Sequence, residues 1–101
     1  MHADLASKDD FDKAINTDSG KYVFIMAYEG DVPEKADEYA KKFEGKVDCY
    51  KFDCAKAPRA KDAHGITETP CALIYKDGKL VKKVPGMAPS EMKEVGQMLS
   101  A

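Results

Sequence analysis

Three observations predict an α/β fold of order βαβαβαββα, a mixed central β-sheet with helices on both faces. Tyr22-Val23-Phe24-Ile25-Met26-Ala27 is continuously apolar and β-favouring, so both sides of that strand are expected to be covered. Loop signals recur about every ten residues, and the apolar spacing switches across them between that of a strand and that of a helix. Lys76-Asp77-Gly78-Lys79 separates two more apolar runs, and Asp-Gly supplies the positive φ angles of a tight hairpin. The 101 residues, 11.1 kDa in all, are expected to form a single domain spanning 1–101. At that mass folding removes roughly 65% of the unfolded chain's surface. The 44% apolar content supplies the side chains to bury.

The elements follow in order. A short strand is expected around Ala3 to Leu5. Ser7-Lys8-Asp9-Asp10 caps a helix whose inner stripe is Phe11, Ala14 and Ile15, and 16–20 stop it. After the central strand, Asp31-Val32-Pro33-Glu34 reads as a capping box with Pro in the first turn, followed by Ala36, Tyr39, Ala40 and Phe43 on one helical face and Gly45 at its end. Val47 to Asp53 is a second inner strand. Pro58 to His64 is a short helix closed by Gly65, where a left-handed residue is needed. Cys71 to Tyr75 and Leu80 to Val84 pair antiparallel across the hairpin. Pro89 opens a last helix with Met92, Val95, Met98 and Leu99 inward. Right-handed crossovers make the first three strands parallel.

Composition excludes several classes. Sixteen basic residues against 18 acidic ones give a net charge of −2 and a pI near 5.7, with no block of like charge to track a phosphate backbone. Nucleic acid is therefore not an expected partner. The longest apolar run, Tyr22 to Tyr28, is far short of the about 20 residues of a membrane helix, and Met1-His2-Ala3-Asp4 does not read as a signal peptide. A soluble, cytoplasmic protein with no membrane partner is expected. Cys49, Cys54 and Cys71 are too few and too odd in number for a disulfide framework, and neither they nor the two His show the spacing of a metal site. No cofactor and no metal are expected.

Four phrases then carry a resemblance that runs from about Ser7 to Leu99. They are Phe43-Glu44-Gly45-Lys46-Val47 with Lys51-Phe52-Asp53; Ala57-Pro58 with His64-Gly65-Ile66-Thr67; Glu68-Thr69-Pro70; and Lys76-Asp77-Gly78-Lys79 with the later Gly86. Together with the order of elements they resemble the thioredoxin family. The resemblance implies a thioredoxin fold, a cis-proline at Pro70, and a substrate groove bordered by Gly86.

The catalytic element of that family has no counterpart in this sequence. Thioredoxins place Trp-Cys-Gly-Pro-Cys between the central strand and the next helix, where unpaired amides stabilise a thiolate and a second Cys resolves the mixed disulfide. Here the stretch reads Tyr28-Glu29-Gly30-Asp31-Val32-Pro33, so Gly30 and Pro33 stand at the cysteine positions when Ala27 is aligned with the family's alanine. The same alignment puts Phe24 where the family has its buried Asp. Cys71, directly after Pro70, is the one thiol with a positional claim to chemistry, against the plainer reading of a buried structural Cys. Cys49 and Cys54 fall on opposite faces of their strand and are read as core or edge thiols. His64 is read as a last-turn residue favourable to its helix dipole. Tyr28 is either an exposed groove aromatic or the end of its strand, and Glu29 with Asp31 is a solvated pair of charges rather than an acid/base pair.

These readings lead to a redox-inactive, thioredoxin-like module, without catalytic residues, that binds a protein or peptide. The expected groove residues are Tyr28, Glu29, Gly30, Thr69, Pro70 and Gly86, and the expected state is a monomer or weak homodimer. In the family, the residue before the cis-proline, here Thr69, offers backbone hydrogen bonds to an extended peptide. The alternative is an enzyme, a single-cysteine thiol oxidoreductase or redox sensor using Cys71. A glutathione-binding or transferase-like domain is a third reading, carried by fold analogy alone.

Overall fold

The computed structural model describes residues 3–5, 7–16, 20–30, 38, 41–42, 46–56 and 58–100. Its elements are β1 (Ala3–Leu5), α1 (Lys8–Ile15), β2 (Tyr22–Tyr28), β3 (Val47–Asp53), α2 (Pro58–Ala63), β4 (Cys71–Lys76), β5 (Lys79–Pro85) and α3 (Pro89–Ser100). The expected capping box at Asp31 to Glu34, the stripe Ala36, Tyr39, Ala40 and Phe43, the stop at Gly45, and Ala57 lie outside the described residues. Positions 38, 41 and 42 within that stretch are helical.

Five strands form one sheet in the order β1-β3-β2-β4-β5. β1 and β2 flank β3 in parallel, and β4 and β5 continue the sheet antiparallel. β2 has a partner along both edges and a helical layer over each face, and the covered faces are why its sequence is apolar throughout. Its side chains alternate between two cores. Val23, Ile25 and Ala27 join Phe11, Ala14 and Ile15 of α1 and Ala60 of α2 on one face. Phe24 and Met26 join Met92, Val95 and Leu99 of α3 on the other, with Met98 packed alongside. A strand's period of about 2 thus distributes one apolar run to two helical layers.

Local signals act as expected. The Ser7 hydroxyl accepts from the Asp10 amide at 3.2 Å and caps α1. Asp77 and Gly78 take φ of 55° and 78°, the mirror-image turn that matches the strands' twist. β5 contains an irregularity that the spacing did not predict. Ile74 pairs with Lys82 and Tyr75 with Leu80, so Val81 is an extra, bulged residue. Leu80 and Val81 are exposed on this sheet edge, and the bulge together with Lys79, Lys82 and Lys83 blunts the edge against pairing with another chain.

Candidate functional site

The register brings three separate segments to one end of the sheet. Ala27, next to last in β2, pairs with Cys71, the first residue of β4, and Cys71 pairs in turn with Pro85 at the end of β5. The residues just outside these pairs are therefore neighbours: Glu29 and Gly30 after β2, Glu68, Thr69 and Pro70 before β4, and Gly86 after β5. The Thr69–Pro70 bond is cis. Gly86 has φ of +73°, and a Cβ there would stand 3.2 Å from Oε2 of Glu68. The positive φ favours glycine, because an L side chain in the left-handed region costs about 1–2 kcal/mol, whereas the exposed Glu68 carboxylate can give way. Gly86→Val is expected to lower stability by about that much, read as a lower urea midpoint at unchanged slope.

Of the sequence-predicted groove residues, Glu29, Gly30 and Gly86 are exposed, and Thr69 and Pro70 are partly so. Tyr28 differs. It is only 7% exposed, so it is not an exposed groove aromatic. It ends β2, where its carbonyl accepts from the Cys54 amide at 2.8 Å. The Glu29 carboxylate has Lys61 Nζ at 3.5 Å, an exposed pair that contributes little to stability. Asp31 and Pro33 lie outside the described residues.

Cys71 lies in this cluster but has no access to it. Its relative exposure is 0%, and burial pushes its thiol up to about 11. The acidic charge of Glu68 acts in the same direction. A cation opposes it that neighbours in sequence did not reveal: Lys83, one strand away, whose ammonium donates to the Gly65 carbonyl at 3.1 Å. Desolvation outweighs that cation. Cys54, also buried, has its thiol raised by burial. Cys49, packed against the other core, is pushed up to about 11 by burial. All three cysteines are free, and among the described residues no group of three His, Cys, Asp or Glu side chains is placed to hold a metal ion.

Sequence reading missed one polar cluster. His64 does not simply face solvent at the end of α2. Its ring stacks on Phe11 at 3.9 Å between centroids, with Nδ1 3.4 Å from the Tyr75 hydroxyl and Nε2 3.3 Å from Oδ1 of Asp12. Asp12, His64 and Tyr75 come from α1, the α2 exit and β4. Their separation along the chain left no local motif by which to find them.

The chain aligns with solved thioredoxins over nearly its whole length. Fasciola hepatica thioredoxin superposes with a TM-score of 0.83 over 95% of this chain and 97% of that one, and a Plasmodium falciparum thioredoxin with 0.80 over the same shares. The fold is the thioredoxin fold. Sequence identity in these superpositions is 22% and 20%, so they speak for the fold alone.

Sequence relatives add to this thioredoxin-like assignment over about half the chain. The chloroplastic thioredoxin M-type of Pisum sativum is 36% identical over 53 residues, 52% of this chain and 31% of that protein. The thioredoxin of Staphylococcus aureus is 34% identical over 55 residues, 54% of this chain and 53% of its own length. The match thus spans about a third to a half of these relatives. No family model matches. Among the described residues no helix is long and apolar enough to cross a membrane.

Proposed function

We propose that this thioredoxin-like chain holds an extended polypeptide of a partner protein against Thr69 and Pro70, and that it does so without a dithiol cycle. The observation that carries this reading is the composition of the site. The three segments that the resemblance assigns to a groove lie at one end of the sheet, with Glu29 and Gly30 after β2, and Cys71, which pairs with Ala27, is fully buried. A backbone that pairs with an extended peptide needs an amide and a carbonyl and no thiol. Thr69→Pro removes that amide without changing any charge, so capture of a partner from lysate should fall sharply for this variant. Circular dichroism of the variant checks that it is folded. Equal capture by both proteins counts against the groove.

A second reading is favoured by the relatives named thioredoxins: thiol–disulfide chemistry at Cys71. Insulin reduction with a dithiol donor separates the two. The binding reading expects turbidity to develop at the rate of the donor alone. Turnover like that of an ordinary thioredoxin, abolished in Cys71→Ser, establishes the thiol reading instead.

A further inference from the structure

The Asp12–His64–Tyr75 cluster is a polar contact, buried at Tyr75 and open at Asp12, that the groove does not use. The His64 side chain is 14% exposed, with Phe11 across one face of its ring, and Nε2 is buried without an aligned hydrogen-bond partner although Asp12 Oδ1 is only 3.3 Å away. Tyr75 is 4% exposed, and His64 Nδ1 is its hydroxyl's one hydrogen-bond partner among the described residues.

The Tyr75 contact favours the neutral ring, whereas the Asp12 oxygen 3.3 Å from Nε2 suits either form. With its proton on Nε2, neutral His64 accepts the Tyr75 hydrogen at Nδ1 and presents Nε2–H to Asp12 Oδ1. When the ring gains a proton, Nδ1 becomes a donor. The Tyr75 oxygen must then accept, and its own hydrogen is left buried without an acceptor, which is costly. The charged groups around the ring divide. On α1, Asp12 favours the cation through Oδ1, while the charge of Lys8, paired with Oδ2 at 2.7 Å, opposes it. On β4, Tyr75 and Cys71 are uncharged at neutral pH, since burial raises both. Burial is the largest influence on His64 and lowers its proton affinity; Asp12 offsets this only in part.

We propose that this contact is an acid-sensitive latch, closed when His64 is neutral and opened by one proton, joining α1 and β4 to the turn that leaves α2. That turn is held by three backbone bonds, His64 to Ala60 at 3.0 Å, Gly65 to Asp62 at 3.3 Å and Ile66 to Lys61 at 3.0 Å, and it leads directly into Glu68, Thr69 and Pro70. Loosening the turn in mild acid would loosen the segment that carries Thr69. The latch stands whether or not the groove binds a peptide.

The test is amide hydrogen exchange by NMR, corrected for intrinsic rates, from about pH 7.5 to about pH 5.5, the range in which histidine titrates. Protection of the His64, Gly65 and Ile66 amides is expected to fall by about threefold or more, while that of Phe24 and Ile25 in β2 holds. His64→Phe keeps the stack on Phe11 and removes the proton site, so the fall should vanish. Unchanged protection in the wild type, or the same fall in His64→Phe, overturns the latch. Should that variant not fold, the wild-type imidazole titration decides. A midpoint below the ordinary value of about 6.5 supports the latch, and one at or above it overturns it.

Discussion

Phe11→Ala is expected to lower stability by about 3–5 kcal/mol, the range for removing a large aromatic side chain from a packed core. Phe11 is fully buried and sits at the centre of a ring cluster, edge-on to Phe52 at 5.3 Å and to Tyr75 at 6.1 Å, and stacked on His64. Its loss removes apolar area, leaves a cavity beneath α1, and takes away the surface that holds the His64 ring. Urea unfolding followed by far-ultraviolet circular dichroism measures it. The midpoint should fall sharply while the slope, which reports the surface exposed on unfolding, stays close to that of the wild type. A loss below about 1 kcal/mol would show that α1 contributes little to this core, since surface substitutions fall in that range. Phe11→Leu, which retains much of the volume, should recover a substantial part of the loss.

Native Cys71 is expected to react with iodoacetamide at least about a hundredfold more slowly than the same cysteine after unfolding. The thiolate is the nucleophile, and a rise of the thiol from 9.0 to about 11 lowers the thiolate fraction at neutral pH about a hundredfold before any steric protection is counted. Zero exposure adds that protection. Mass mapping of each cysteine after timed labelling at neutral pH gives the ratio, with Cys49, the partly exposed one, as the internal comparison. Rapid and selective labelling of native Cys71 would reverse the order of the two functional readings and make the single-thiol enzyme the leading one. Labelling that accelerates only with denaturant leaves Cys71 as a core residue.

The same residues show how far a one-dimensional reading reaches. Pro89 at the start of α3, Ser7 before α1 and Asp77-Gly78 between β4 and β5 act through their own backbone and immediate neighbours, so their effects were legible directly. The β5 bulge was not, because a bulge is a relation between two strands and Lys79-Leu80-Val81-Lys82 reads equally well without one. Tyr28 was ambiguous for a similar reason. An aromatic residue at a strand end is exposed or covered according to what packs on it in the fold, and Tyr28 is covered.

The site divides along the same line. That Thr69 and Pro70 precede a strand, that Cys71 follows them, and that no cysteine lies between Tyr28 and Pro33 are properties of the amino-acid order alone, and so is the absence of any Cys-x-x-Cys spacing. Short-range sterics, caps, turns and apolar periodicity act over a few residues, so the order of elements followed from them, while the likeness to thioredoxins was carried by four phrases of the sequence taken with that order. Only the tertiary structure decided that Cys71 is buried, that the charge of Lys83 acts on it from the neighbouring strand, and that Asp12 and Tyr75 meet the His64 ring stacked on Phe11. Burial and charge act through space across a few ångströms, and residues that the chain keeps more than fifty positions apart, such as Asp12 and His64, become neighbours only when the sheet register and helix packing bring them together.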